Sequence, residues 1–123
     1  MTLRIGFFED FKGENTLLIC GSPDDISNLA DEIESLNQSN INEIVVKENE
    51  TSEIYLKVSK NRPDKSLFSM VLADSEEVLE VVDKLRVLNG DNPGHQYFYI
   101  SGKCRRLMVA VNEYTELWWS KNR

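Results

Sequence analysis

Gly21-Ser22-Pro23-Asp24-Asp25-Ile26 and, 52 residues further on, Ala73-Asp74-Ser75-Glu76-Glu77-Val78 decide how this chain is read. Each announces a helix. Ser22 suits an N-cap, accepting a hydrogen bond from a free backbone N–H, and Pro23 fits the first helical position, where no N–H is needed. Asp24 and Asp25 favour the positive end of the helix dipole. Asp74 with Glu77 three residues later forms the second cap signal. Behind the caps run two apolar stripes at helical spacing, Ile26, Leu29, Ala30, Ile33 and Leu36, then Val78, Val81, Val82, Leu85 and Leu88. Asn37 to Asn40 stop the first and Asn89-Gly90 the second.

Working outward, strand signals flank both helices. Leu3, Ile5 and Phe7 alternate, and Thr16 to Cys20 is an apolar run; the stretch 11–15 between them reads as a turn. Ile44 to Val46 and Ile54, Leu56, Val58 follow the first helix. Leu67 to Ala73 precedes the second, and Gly94 to Ser101 and Arg106 to Asn112 follow it. A shift of 52 residues lays Ser22 on Asp74, Ile26 on Val78, Asp31 on Asp83 and Leu36 on Leu88. The pattern is a β-α-β-β unit occurring twice. The expectation is a single α+β domain, residues 1–123, in the order β-β-α-β-β-β-α-β-β. It has one antiparallel sheet, both helices on one face and the first strand at an edge. Helices at separate ends of the sheet are the alternative.

The chain has 123 residues, enough for one domain that buries roughly two thirds of its unfolded surface. Fourteen bases against 21 acids give a net charge of -7. A nucleic-acid binder needs a basic face for phosphates, and an anionic membrane attracts basic segments, so neither partner is expected. The acids are concentrated: residues 1–56 hold twelve acids and three bases (-9), and residues 57–123 hold nine acids and eleven bases (+2). A basic partner for the first half is the functional reading of that asymmetry; differing solvated faces are the other. The hairpin turns differ likewise, acidic in the first unit (Glu48, Glu50, Glu53) and basic in the second (Lys103, Arg105, Arg106). No secretory leader or apolar span of membrane length is recognisable, so the cytoplasm is the expected compartment.

Chemistry-bearing constellations are sparse. With one histidine, His95, and no C-x-x-C or H-E-x-x-H, no metal site is expected, and without a glycine-rich phosphate loop no nucleotide cofactor. A dyad of His95 with Cys104 or Cys20 is the one catalytic alternative; Lys103, Arg105 and Arg106 around Cys104 favour a thiolate. Read as a strand, Gly94 to Ile100 puts His95, Tyr97 and Tyr99 on one face, either a core cover with polar tips or an interface. In a strand Trp118 and Trp119 would point to opposite faces, which would keep both from one core. They either mark a binding hot spot or cover the last sheet edge.

The segments Gly94-His95-Gln96-Tyr97 and Leu107-Met108-Val109-Ala110-Val111-Asn112-Glu113-Tyr114, with the size and acidity of the chain, resemble the small immunity proteins of bacterial toxin–immunity systems. These include the contact-dependent growth inhibition and polymorphic-toxin families. The resemblance implies a non-enzymatic inhibitor that binds one cognate toxin, often a basic nuclease. Candidate contacts are Asp24, Asp25, Asp31, Glu32 and Glu34 on the first helix and Glu48, Glu50 and Glu53 on the acidic hairpin. Tyr97, Tyr99, Trp118 and Trp119 are candidate interface aromatics. A regulatory module binding another protein through a free sheet edge is the other reading. Oligomeric state is left open.

Overall fold

The computed structural model describes residues 3–38, 40–48, 54–60, 69–88, 93–99 and 106–122. Among them are seven strands and three helices: β1 (Arg4–Phe11), β2 (Glu14–Gly21), α1 (Pro23–Glu34) ending in a 3-10 turn (Ser35–Asn37), β3 (Glu43–Lys47), β4 (Tyr55–Lys60), β5 (Ser69–Leu72), α2 (Ser75–Arg86), β6 (Gly94–Tyr99), β7 (Arg106–Val111) and α3 (Glu116–Asn122). The chain is an α+β fold in the expected order, with one helix added at the end.

Both helix starts follow their cap residues. The Asp25 N–H donates to Ser22 Oγ at 3.1 Å, and Asp25 Oδ2 accepts from the Ser22 N–H at 3.0 Å. The Glu77 N–H donates to Asp74 Oδ1 at 2.9 Å, and Glu77 Oε2 accepts from the Ala73 N–H at 3.0 Å. Each pair satisfies donors that an α-helix leaves without partners. The turn after β1 is tighter than the sequence suggests. β1 runs on to Phe11, and Lys12 and Gly13 turn the chain at φ 52° and 93°, the second a value that glycine adopts without strain.

The expected single antiparallel sheet is instead two mixed sheets, in the orders β1-β2-β7-β6 and β3-β4-β5. The hairpins β1–β2, β3–β4 and β6–β7 are antiparallel. The remaining pairs, β2 with β7 and β4 with β5, are parallel. The opening strand of each β-α-β-β unit therefore pairs with the closing strand of the other. Alternation along a strand sets which side chains face inward and says nothing about which strand lies alongside, and this is where the expectation failed.

The inward faces of both sheets and the apolar stripes of α1 and α2 form one core. It includes Leu17, Ile19, Leu56, Val58, Met70, Leu72, Leu107 and Val109. The outer face of the first sheet carries a second cluster: Leu18, Cys20, Met108 and Ala110 under Trp119. Thus α3, a helix absent from the expected order, covers that face. Helical geometry lets both rings lean on the same sheet: Trp119 is 2% exposed, and Trp118 packs edge-on against Phe8 at 5.4 Å. The Thr115 side chain starts this helix by accepting from the Trp118 N–H at 3.1 Å. Arg4 anchors it to β1, with Nε donating to Glu116 Oε1 at 3.1 Å and the outer nitrogen to Oε2.

Candidate protein-binding surface

The charge of the molecule is located on its helices. α1 holds five acids and no base; α2 holds four acids and two bases. Nine acids against two bases give -7, the net charge of the whole chain. Because the helices bury one stripe each, the acids fall on their outward faces. Asp24, Asn28 and Asp31 of α1 and Glu76, Glu80 and Asp83 of α2 are all exposed and correspond at the same 52-residue shift. The two helices pack against each other. Arg86 of α2 spans them, donating to Asp31 Oδ1 at 2.8 Å and lying 3.7 Å from Glu34 Oε2. Among the described residues, the exposed side-chain carboxylates of Asp24 and Glu32 form no hydrogen bond or ion pair.

The residues expected to bind a partner divide on this map. Asp24, Asp31, Glu32 and Glu34 are exposed on one layer. Asp25 is committed to the Ser22 cap. Glu48, read from the sequence as an exposed turn residue, is instead 5% exposed, and its Oε1 accepts from the Ile5 N–H at 3.1 Å. Glu50 and Glu53 lie outside the described residues. The basic counterpart behaves like Glu48: Arg106 is buried, donates from Nε to Thr16 Oγ1 at 2.9 Å and to the Phe11 carbonyl, and stacks 5.1 Å from the Tyr97 ring. The two turn charges that can be placed thus act inside the fold. Glu76, Glu80 and Asp83, not named among the binding candidates from the sequence, extend the acidic layer across α2. The repeat that aligned the cores contained that signal, because it also lays Asp24 on Glu76 and Asp31 on Asp83.

The aromatic candidates have separate roles. Trp119 and half-buried Trp118 hold α3 on the sheet. Half-buried Tyr97 sits between the edge of His95, at 5.1 Å, and the Arg106 guanidinium. Tyr99 is 76% exposed at the end of β6.

For Cys20 the thiol–imidazole alternative meets unfavourable geometry. Cys20 and His95 both pair with Ala110, from opposite sides. They are therefore two strand spacings apart, about 9.5 Å between Cα atoms. His95 Nδ1 donates to Glu113 Oε1 at 2.7 Å, since a carboxylate can only accept. Burial pushes the Cys20 thiol up to about 12, which keeps it protonated and unreactive at neutral pH. Cys104 lies outside the described residues. A cavity of about 300 Å³ at the carboxyl ends of β2 and β7, lined by Arg4, Cys20, Tyr114, Glu116 and Trp119, offers an ion pair, a protonated thiol and aromatic walls. Among the described residues no three His, Cys, Asp or Glu side chains gather to hold a metal ion, and no helix is long and apolar enough to cross a membrane.

No protein-family model, curated protein or solved structure matches the chain.

Proposed function

We propose that the chain is a non-enzymatic inhibitor of a basic protein, in the manner of a bacterial immunity protein, and that the outward faces of α1 and α2 form its docking surface. The observation that carries this reading is the coincidence of the whole net charge with one two-helix layer, seven of whose nine acids stand exposed. A surface of one sign speeds encounter with a partner of the other and penalises wrong partners. Exposed Leu79, 46% accessible on the outward face of α2, supplies an apolar contact among the carboxylates. Both helices are fixed by caps and a continuous core, so the surface is presented rigidly and little ordering is lost on binding.

The test uses the protein encoded beside this chain's gene. Expressed alone, it is expected to arrest growth. Co-expression of this chain is expected to restore growth and yield a stable complex. A harmless neighbour, or an arrest that this chain does not relieve, would overturn the immunity reading.

A further inference from the structure

β2 and β7 run parallel, from Thr16 opposite Arg106 to Gly21 opposite Val111, so the two strands end at one level. The chain leaves them in opposite directions. After β2 it enters α1, whose buried stripe packs on the core side of the sheet. After β7 it enters α3, whose Trp119 covers the outer side. Neighbouring parallel strands with connections to opposite faces leave a crevice beyond their carboxyl ends, the place where open α/β sheets take ligands. The cavity of about 300 Å³ lies there, and every residue that lines it belongs to the described part of the chain. A second hollow of about 330 Å³ shares Arg4, Glu116 and Trp119 with it.

The lining selects the ligand. Trp119 and Tyr114 supply ring surface, and the Cys20 thiol, which keeps its proton at neutral pH, adds no charge. The charged groups of the lining are Arg4 and Glu116. Arg4 Nε lies 3.1 Å from Glu116 Oε1, so a positive and a negative group stand one hydrogen bond apart. Among the described residues the second terminal nitrogen of Arg4 makes no hydrogen bond. The two side chains are 29% and 71% exposed, so an incoming molecule can reach both. We propose that the crevice binds a free α-amino acid with an aromatic side chain, its carboxylate on Arg4, its ammonium on Glu116 and its ring against Trp119.

Charge and size together exclude simpler ligands. A plain carboxylate meets Arg4 but is repelled by Glu116, and a plain amine meets Glu116 but is repelled by Arg4. An α-amino acid carries both groups on one carbon and makes a charge-assisted contact with each. The cavity holds about ten waters' worth of space, which suits one amino acid rather than a peptide. Phe8 and Trp118 already pack edge-on against the Trp119 indole at 5.7 and 5.4 Å, and a ligand ring extends that cluster. The apolar wall and the few convergent polar groups are the usual make-up of a small-molecule site.

The probes are L-phenylalanine, phenylpropionate, phenethylamine and L-alanine, each titrated into the intact protein and followed by calorimetry and tryptophan emission. L-Phenylalanine is expected to bind and to shift the emission. Phenylpropionate lacks the ammonium and phenethylamine the carboxylate, and each is expected to bind at least about tenfold more weakly. L-Alanine, which lacks the ring, is expected to bind about tenfold more weakly as well. Glu116→Gln keeps an acceptor for Arg4 and removes the charge, so the preference for phenylalanine over phenylpropionate is expected to disappear in that variant, with urea unfolding confirming that it is folded. The comparison within the parent protein decides the matter even where the variant does not fold. Four results would each overturn the proposal: no binding of L-phenylalanine at millimolar concentration, equal affinity for it and its two singly charged analogues, equal affinity for L-alanine, or a preference that folded Glu116→Gln retains.

Discussion

Glu48 accepts a hydrogen bond from the backbone N–H of Ile5 at 3.1 Å, joining the end of β3 to the edge of β1 across 43 residues of chain. The pair is buried, so the carboxylate takes the place of water at the edge of the strand. Glu48→Ala is expected to lower unfolding free energy by about 1–3 kcal/mol, the cost of an unsatisfied buried donor. Glu48→Gln, which keeps an acceptor, is expected to lose less. Urea unfolding of the two variants checks this; equal stability of Glu48→Ala and the parent would refute the structural role.

Gly6 makes room for α3. A Cβ placed there would stand 2.8 Å from Trp119 Cζ3 and 2.9 Å from Phe8 Cε2, well inside contact distance. The indole cannot retreat without uncovering Leu18 and Met108. Gly6→Ala is expected to destabilise the protein by about 1–3 kcal/mol through overpacking. It is also expected to shift tryptophan emission to the red as α3 loosens. An unshifted spectrum at parent stability would show that the ring has another place to go.

Cys20 gives a pH dependence with a defined sign. Burial is the main cause of its rise from 9.0 to about 12, opposed by the neighbouring Trp119 side chain. The folded protein therefore holds a proton that the unfolded chain releases above about pH 9. Stability contributed by this group is complete below that pH and falls as pH rises towards 12, by at most about 1.4 kcal/mol per pH unit. In a Cys104→Ser background, thiol reagents at neutral pH are expected to label native protein far more slowly than protein in urea. Fast native labelling would place Cys20 at the surface.

Much of the fold was legible because caps and stripes are local. Ser22-Pro23 and Asp74 sit where the helices begin, and every residue of both stripes is buried. The partner of each strand was not legible: Leu17 and Leu107 look alike whether their strands run parallel or antiparallel, and chain topology decides between them. α3 was missed because the aromatic pair Trp118-Trp119 resembles strand sequence, although Thr115 three residues before Trp118 was a cap signal. The binding surface was half legible. The acids of α1 faced outward as read, while the turn charges Glu48 and Arg106 went inward. A charge beside a turn reads as solvated unless the backbone donor or carbonyl awaiting it is known, and that partner lies far away in sequence.

The central claim is that the outward acids of α1 and α2 hold a basic partner, and one affinity series tests it most directly. The triple variant Asp24→Lys, Glu32→Lys, Asp83→Lys replaces three exposed carboxylates that make no described cap hydrogen bond and no described core contact, so the fold is expected to persist, with about 1 kcal/mol lost at most from Asp24 at the N-terminus of α1. Binding to the protein encoded beside this chain is expected to weaken by at least about tenfold, with the salt dependence of the parent complex much reduced. Affinity equal to that of the parent at low salt, in a variant that remains folded, would contradict the account.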